Sequence, residues 1–113
     1  MSETGPKIRA LKYEPLRGVV VEPIDSLLPY QAALSESVGK HPFVKVVTQG
    51  LTVVLLPTQS NQIQHSLHLE ILPGVTPAGL RNIAREVPDT IPAYIPITYE
   101  DYDPLRHLNP RKV

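Results

Sequence analysis

The side chains in this sequence with chemistry to offer are four histidines (His41, His65, His68 and His107), a serine set among two of them, and a tight group of carboxylates. His65 and His68 stand three apart. On a helix that spacing puts both rings on one face, as a metal site needs. Here, however, Ile63, His65, Leu67, Leu69 and Ile71 alternate with Gln64, Ser66, His68 and Glu70. Such a period of two is a strand with one wet face, and an odd spacing along a strand sends the two rings to opposite sides. Glu70 then joins His68, giving two ligands at most, whereas a structural zinc takes four protein ligands and a catalytic one three. No metal site is expected, and His65 is expected half-buried with His68 at the surface. Ser66 neighbours His65, but strand neighbours point apart and no oxyanion turn accompanies them, so no catalytic residue is assigned.

The carboxylates Glu100, Asp101 and Asp103 are interleaved with Tyr99 and Tyr102. Three acids within four residues offer no dry pocket to set two carboxyl groups apart as acid and base. Docking fits them better, because tyrosines supply contact area and acids steer a segment onto a basic surface. From Glu86 to Asp103 the local charge is −5, and Arg106, Arg111 and Lys112 then make the last ten residues +3. The opposite case is the stretch from Val46 to Leu69, 24 residues without a formal charge. It is either a buried hairpin or a subunit contact through Thr48, Thr52 and Gln64, since interface cores are depleted in charge.

Two terminal segments carry much of the proline. There are 13 prolines in 113 residues, more than twice the average share of about 5%. The spacing of Pro88, Pro92 and Pro96 forbids a helix and a central strand alike. Yet Ile91, Tyr94, Ile95, Ile97, Tyr99 and Tyr102 lie between and after them, and a disordered tail is poor in such residues. Residues 88–113 are therefore expected as an extended arm anchored by those six side chains. Residues 1–16 read as a second arm and 17–87 as the compact core. Removing 88–113 is expected to leave that core folded.

The core sequence predicts α+β. Gly18–Glu22 reads as a short strand, and Pro29–Val38 as a helix with Tyr30, Ala33, Leu34 and Val38 on its buried stripe. Phe43–Thr48 and Leu51–Leu56 read as a hairpin turning at Gln49–Gly50, with residues 63–71 as the next strand. A second helix begins at Thr76 and Pro77, buries Leu80, Ile83, Ala84 and Val87, and stops at Pro88. The expected fold is a small antiparallel sheet, a three-stranded meander, covered by one or two short helices. Residues 93–99 and the Gly18–Glu22 run are available to raise it to four or five strands, the former only at an edge because of Pro96.

Composition narrows function further. Eleven Lys and Arg balance eleven Asp and Glu, so nucleic acid is not an expected partner. Lys7, Arg9, Lys12 and Arg17 leave the N-terminal segment a surplus of only +2 after Glu3 and Glu14. The chain has no cysteine, which removes disulfides, thiolate catalysis and Cys-ligated metals. No nucleotide-binding motif occurs, and no cofactor is expected. No run reaches the roughly 18 apolar residues of a membrane span, and the first residues lack a signal region. A cytoplasmic or virion location is expected, without a membrane partner. The reading that fits is a non-enzymatic assembly protein binding neighbouring subunits of a large complex through its arms, such as a virion cement, connector or tail component or an accessory subunit. A homo-oligomer is compatible with it. The alternative is a small regulatory or ligand-binding module acting alone or as a dimer.

Overall fold

The computed structural model describes residues 10–16, 22–54, 56–57 and 62–105. The expected Gly18–Glu22 strand falls almost wholly outside these residues, as do 1–9 and 106–113, the outer parts of the two expected arms. The described elements are β1 (Lys12–Tyr13), a 3-10 turn (Asp25–Leu27), α1 (Leu28–Ser37), β2 (Val44–Val54), β3 (Gln62–Ile71), α2 (Pro77–Arg85) and β4 (Ile97–Asp101). The strands form one sheet in the order β1-β4-β3-β2. The class is α+β, with a four-stranded sheet and two helices. The antiparallel meander is not found: only β2 and β3 run antiparallel, while β4 lies parallel to both β3 and β1.

Both helices form where local signals put them. Pro29 occupies the first turn of α1, where its missing N–H costs nothing. At its far end, a Cβ on Gly39 would lie 2.4 Å from the Ser35 carbonyl oxygen, so only glycine fits there. Thr76 caps α2, its hydroxyl accepting from the Gly79 N–H at 3.1 Å, and Pro77 follows at the first helical position. Leu34 of α1 and Val38 at its C-cap, and Ile83 with Val87 at and just beyond α2, enter one core with Leu67, Leu69, Ile71 and Ile97. Between β3 and α2 the chain turns at Gly74, whose φ of +87° lies in the left-handed region that favours glycine.

The hairpin expected at Gln49–Gly50 does not exist. β2 runs straight through these residues, with Gln49 opposite Leu67 and Gly50 opposite Ser66. Gly50 is a glycine because of a close approach across the strands: a Cβ there would stand 2.8 Å from Ser66 Oγ and 3.3 Å from Leu16 Cδ1. The real reversal lies between Val54 and Gln62. The only register irregularity of the pair falls between Val44 and Val46, where Lys45 is extra.

Residues 88–101 also differ from expectation. The four-residue proline spacing builds two successive turns, not an extended segment. The Ile91 N–H donates to Pro88 O at 3.2 Å and the Ile95 N–H to Pro92 O at 3.1 Å. Each turn drives its isoleucine into the core beside Ile97. Pro96 sits just before β4, where its carbonyl accepts from the Leu67 N–H at 3.0 Å and its missing donor is not needed. β4 is therefore an interior strand, joined to its parallel neighbour β3 through α2 as a crossover unit. Among the described residues no helix is long and apolar enough to cross a membrane.

Candidate functional site

The face of the sheet opposite the helices was expected to be wet, but the structure buries much of it. Thr98 and Glu100 alternate with Ile97 and Tyr99 along β4, so they share a face with Ser66, His68 and Glu70 of β3. All five polar side chains are buried. His68, expected at the surface, is 1% exposed. The parallel register sets His68 opposite Thr98 and Glu70 opposite Glu100.

The imidazole bridges the two strands. Its Nδ1 lies 2.7 Å from Thr98 Oγ1 and its Nε2 2.9 Å from Glu100 Oε2. Thr98 Oγ1 also lies 3.3 Å from Ser66 Oγ and 3.3 Å from Leu67 O. The imidazole is thus held by a hydroxyl at one ring nitrogen and by a carboxyl group at the other. The same carboxylate oxygen accepts the Leu16 backbone N–H at 3.3 Å. Glu100 thus joins β4, β3 and the N-terminal segment at one point. Leu16 is buried as well, its methyl standing close over Gly50.

Hydroxyl, imidazole and carboxylate in line are the parts of a nucleophile, base and orienting group. Their setting differs from a working triad. Thr98 is 4% exposed on an interior strand, and the Leu16 methyl crowds the same face at Gly50. A proton can pass along this chain of bonds, and the Thr98 hydroxyl at its end is buried in this conformation. What the arrangement does directly is fix register, because sliding β4 by one residue would turn Thr98 and Glu100 into the apolar core. Among the described residues no three His, Asp or Glu side chains gather as metal ligands.

The residues expected to form a docking surface divide sharply. Ile91, Ile95 and Ile97 are buried in the chain's own core, so they are not exposed anchors. Glu100 is in the His68 network. Tyr99 is half-buried and stacks edge-to-face on Tyr13, with centroids 5.4 Å apart at 71°. Tyr102 is half-buried, and its N–H donates to Ile71 O at 2.7 Å. Asp101 and Asp103 are exposed, Asp103 accepting the Leu105 N–H at 3.0 Å. Tyr94 stands out at 81% exposed. Thr48 and Thr52 are half-buried on β2 and Gln64 is exposed on β3. The structure brings Thr48 beside His68 and Thr52 beside Gln64, on the same face as the network.

Sequence reasoning missed Gln49 and Thr98, and it misplaced His68 and Glu100, expected as a surface ring and a docking carboxylate but buried here. A signal was present: the polar positions of residues 46–69 hold Ser, Thr, Asn, Gln and His but no Lys or Arg, and a truly wet sheet face is rarely without them. No family model, curated protein or solved structure matches the chain.

Proposed function

We propose that the chain is a non-enzymatic assembly protein that binds neighbouring subunits of a larger complex, as a virion component or an accessory subunit would. One observation supports this reading above the others. Among the described residues, β2 is an 11-residue strand at the edge of the sheet, without a formal charge from Val46 to its end. At its far end Val53 and Ile63 face each other across the hairpin and are 50% and 59% exposed. Soluble chains normally blunt such an edge with charge, proline or a cover, because its free backbone groups invite another strand. An uncharged edge beside an exposed apolar pair is what a strand-adding partner requires. Tyr94 and Leu105, the latter 72% exposed, supply further apolar area on loops.

The test is the native mass of the species carrying this chain in a gently prepared lysate of its source. Migration in a particle far above 12.5 kDa is expected. Migration as a monomer or small oligomer overturns the reading. Val53→Lys combined with Ile63→Lys should leave the fold intact, since exposed substitutions cost within about 0.5 kcal/mol. The doubly substituted chain should then leave the large species for the monomer fraction. The alternative, a small regulatory or ligand-binding module, is favoured by an open cavity of about 550 Å³ lined by Glu22, Pro23, Ile24, Leu51 and His65.

A further inference from the structure

Inside the sheet, Gln49 of β2 is used up by the fold. It is fully buried, its Oε1 accepting the Ile24 N–H at 3.0 Å and its Nε2 donating to Ile24 O at 3.3 Å and to Gln31 Oε1 at 2.9 Å. The far edge of the sheet, where β1 lies beside β4, is the opposite case. There two rings and a carboxylate reach the surface.

The parallel register sets Tyr13 beside Tyr99. Their rings meet edge to face, with centroids 5.4 Å apart and planes at 71°. Two planes at that angle enclose a corner, and water reaches its walls: Tyr13 is 49% exposed and Tyr99 half-buried. The inner side of Tyr99 packs on the hydrophobic core. One wall is therefore held in place before any ligand arrives.

Alternation along β4 puts Asp101 on the face of Tyr99, two residues or about 7 Å farther along the strand. Lys12 and Glu100 fall on the other face. Asp101 is exposed, and it enters neither ion pair of the described residues, Lys12 with Glu14 and His68 with Glu100. The face of a tyrosine ring is the negative side of its quadrupole. Ring faces and carboxylate together repel an anion and attract a cation. A primary ammonium holds its water tightly. A quaternary one presents methyl groups that can leave water for a ring, and near-perpendicular aromatic walls are how such groups are recognised.

We infer that the Tyr13–Tyr99 corner binds a quaternary ammonium group, its methyls against the two rings and its charge balanced by Asp101. The site goes beyond the assembly reading and does not rest on it. The same headgroup comes from a free choline-like molecule or from a trimethylated lysine side chain, and the probes separate the two.

The labelled full chain is titrated with choline chloride and followed by amide and aromatic NMR. 3,3-Dimethyl-1-butanol serves as the neutral compound of the same shape. Choline should give saturable shifts at Tyr13, Tyr99 and Asp101 with a dissociation constant of about 10 mM, as expected for an exposed two-ring site. The alcohol should bind at least about threefold more weakly, and only choline should lose affinity as salt rises. Tyr13→Phe keeps the ring face and should bind within about twofold of the unchanged chain, whereas Tyr13→Leu should weaken binding about fivefold. Asp101→Asn, an exposed change that spares the fold, should weaken it about threefold and remove most of the salt dependence. Tighter binding of Nα-acetyl-Nε-trimethyl-lysine methylamide than of choline supports the site and assigns its occupant to a lysine side chain. Equal or weaker binding supports it with a free ligand. Three results would each overturn the proposal: the alcohol binding as well as choline, no saturable shift at these residues, or unchanged binding in Asp101→Asn and a folded Tyr13→Leu.

Discussion

Glu100 is the residue on which most depends. Its carboxyl group meets His68 Nε2 and accepts the Leu16 N–H, both inside the protein. A buried hydrogen-bonded pair contributes modestly when intact, because desolvation offsets much of the attraction. Losing one partner is costly, since the other is left buried and unsatisfied, at about 1–3 kcal/mol per group. Glu100→Ala takes the partner from both groups, so it should cost about 3 kcal/mol by urea unfolding. Thr98→Val removes the hydroxyl that meets Nδ1, Ser66 Oγ and Leu67 O but spares the carboxylate, and should cost about half as much. A loss below about 0.5 kcal/mol for Glu100→Ala would mean that water replaces the carboxylate and that the network does not hold the sheet. Alternation along residues 63–71 sets His68 on the face of Glu70 and predicts a surface ring, with no sign of the strand that covers it and supplies its partners. The 30- and 32-residue separations to Thr98 and Glu100 leave no trace in local periodicity.

At the scale of elements, Gly50 separates two descriptions of residues 43–56. In a turn it would supply backbone freedom. In a straight strand it supplies room for Ser66. Gly50→Ala brings a Cβ to 2.8 Å from Ser66 Oγ, a hydroxyl in contact with Thr98. Overpacking of this kind costs roughly 1–3 kcal/mol. Ser66→Ala removes the obstructing oxygen, so the double variant should be more stable than the two single losses predict, by at least about 0.5 kcal/mol in a double-mutant cycle. Strict additivity would place Gly50 away from Ser66 and contradict the strand. This is also where legibility divides. α1, α2 and β3 were readable because proline, a threonine cap and alternation act within a few residues. β2 was misread because Gln-Gly resembles turn chemistry locally, while the demands on Gln49 and Gly50 come from Ile24, Leu16 and Ser66, distant in sequence. The spacing of Pro88, Pro92 and Pro96 with apolar residues between them is plain in the sequence, but turns and an extended segment share that composition, and only the core they enter decides between them.

For the whole molecule, the fate of residues 88–105 decides what an arm can be. A chain ending at residue 87 would lose Ile91, Ile95 and Ile97 from the core together with the strand between β1 and β3. β1 pairs with β4, so it would lose its hydrogen-bonded neighbour as well. Each buried isoleucine deleted to alanine costs about 2–5 kcal/mol, and a domain of this size has about 5–15 kcal/mol in all. Removing three of them with an interior strand exceeds that margin. Truncation after residue 87 should therefore yield a chain without cooperative thermal unfolding or dispersed NMR signals. Truncation after Leu105 keeps every element of the sheet and should retain both. A cooperatively folded 1–87 fragment would show that β4 is an accessory layer on an independent core. Failure of that fragment to enter a complex says nothing about docking, since a chain that does not fold cannot assemble. The informative changes are those on the exposed rim, Val53, Ile63 and Tyr94, where loss of incorporation with the fold intact can only come from the contact itself.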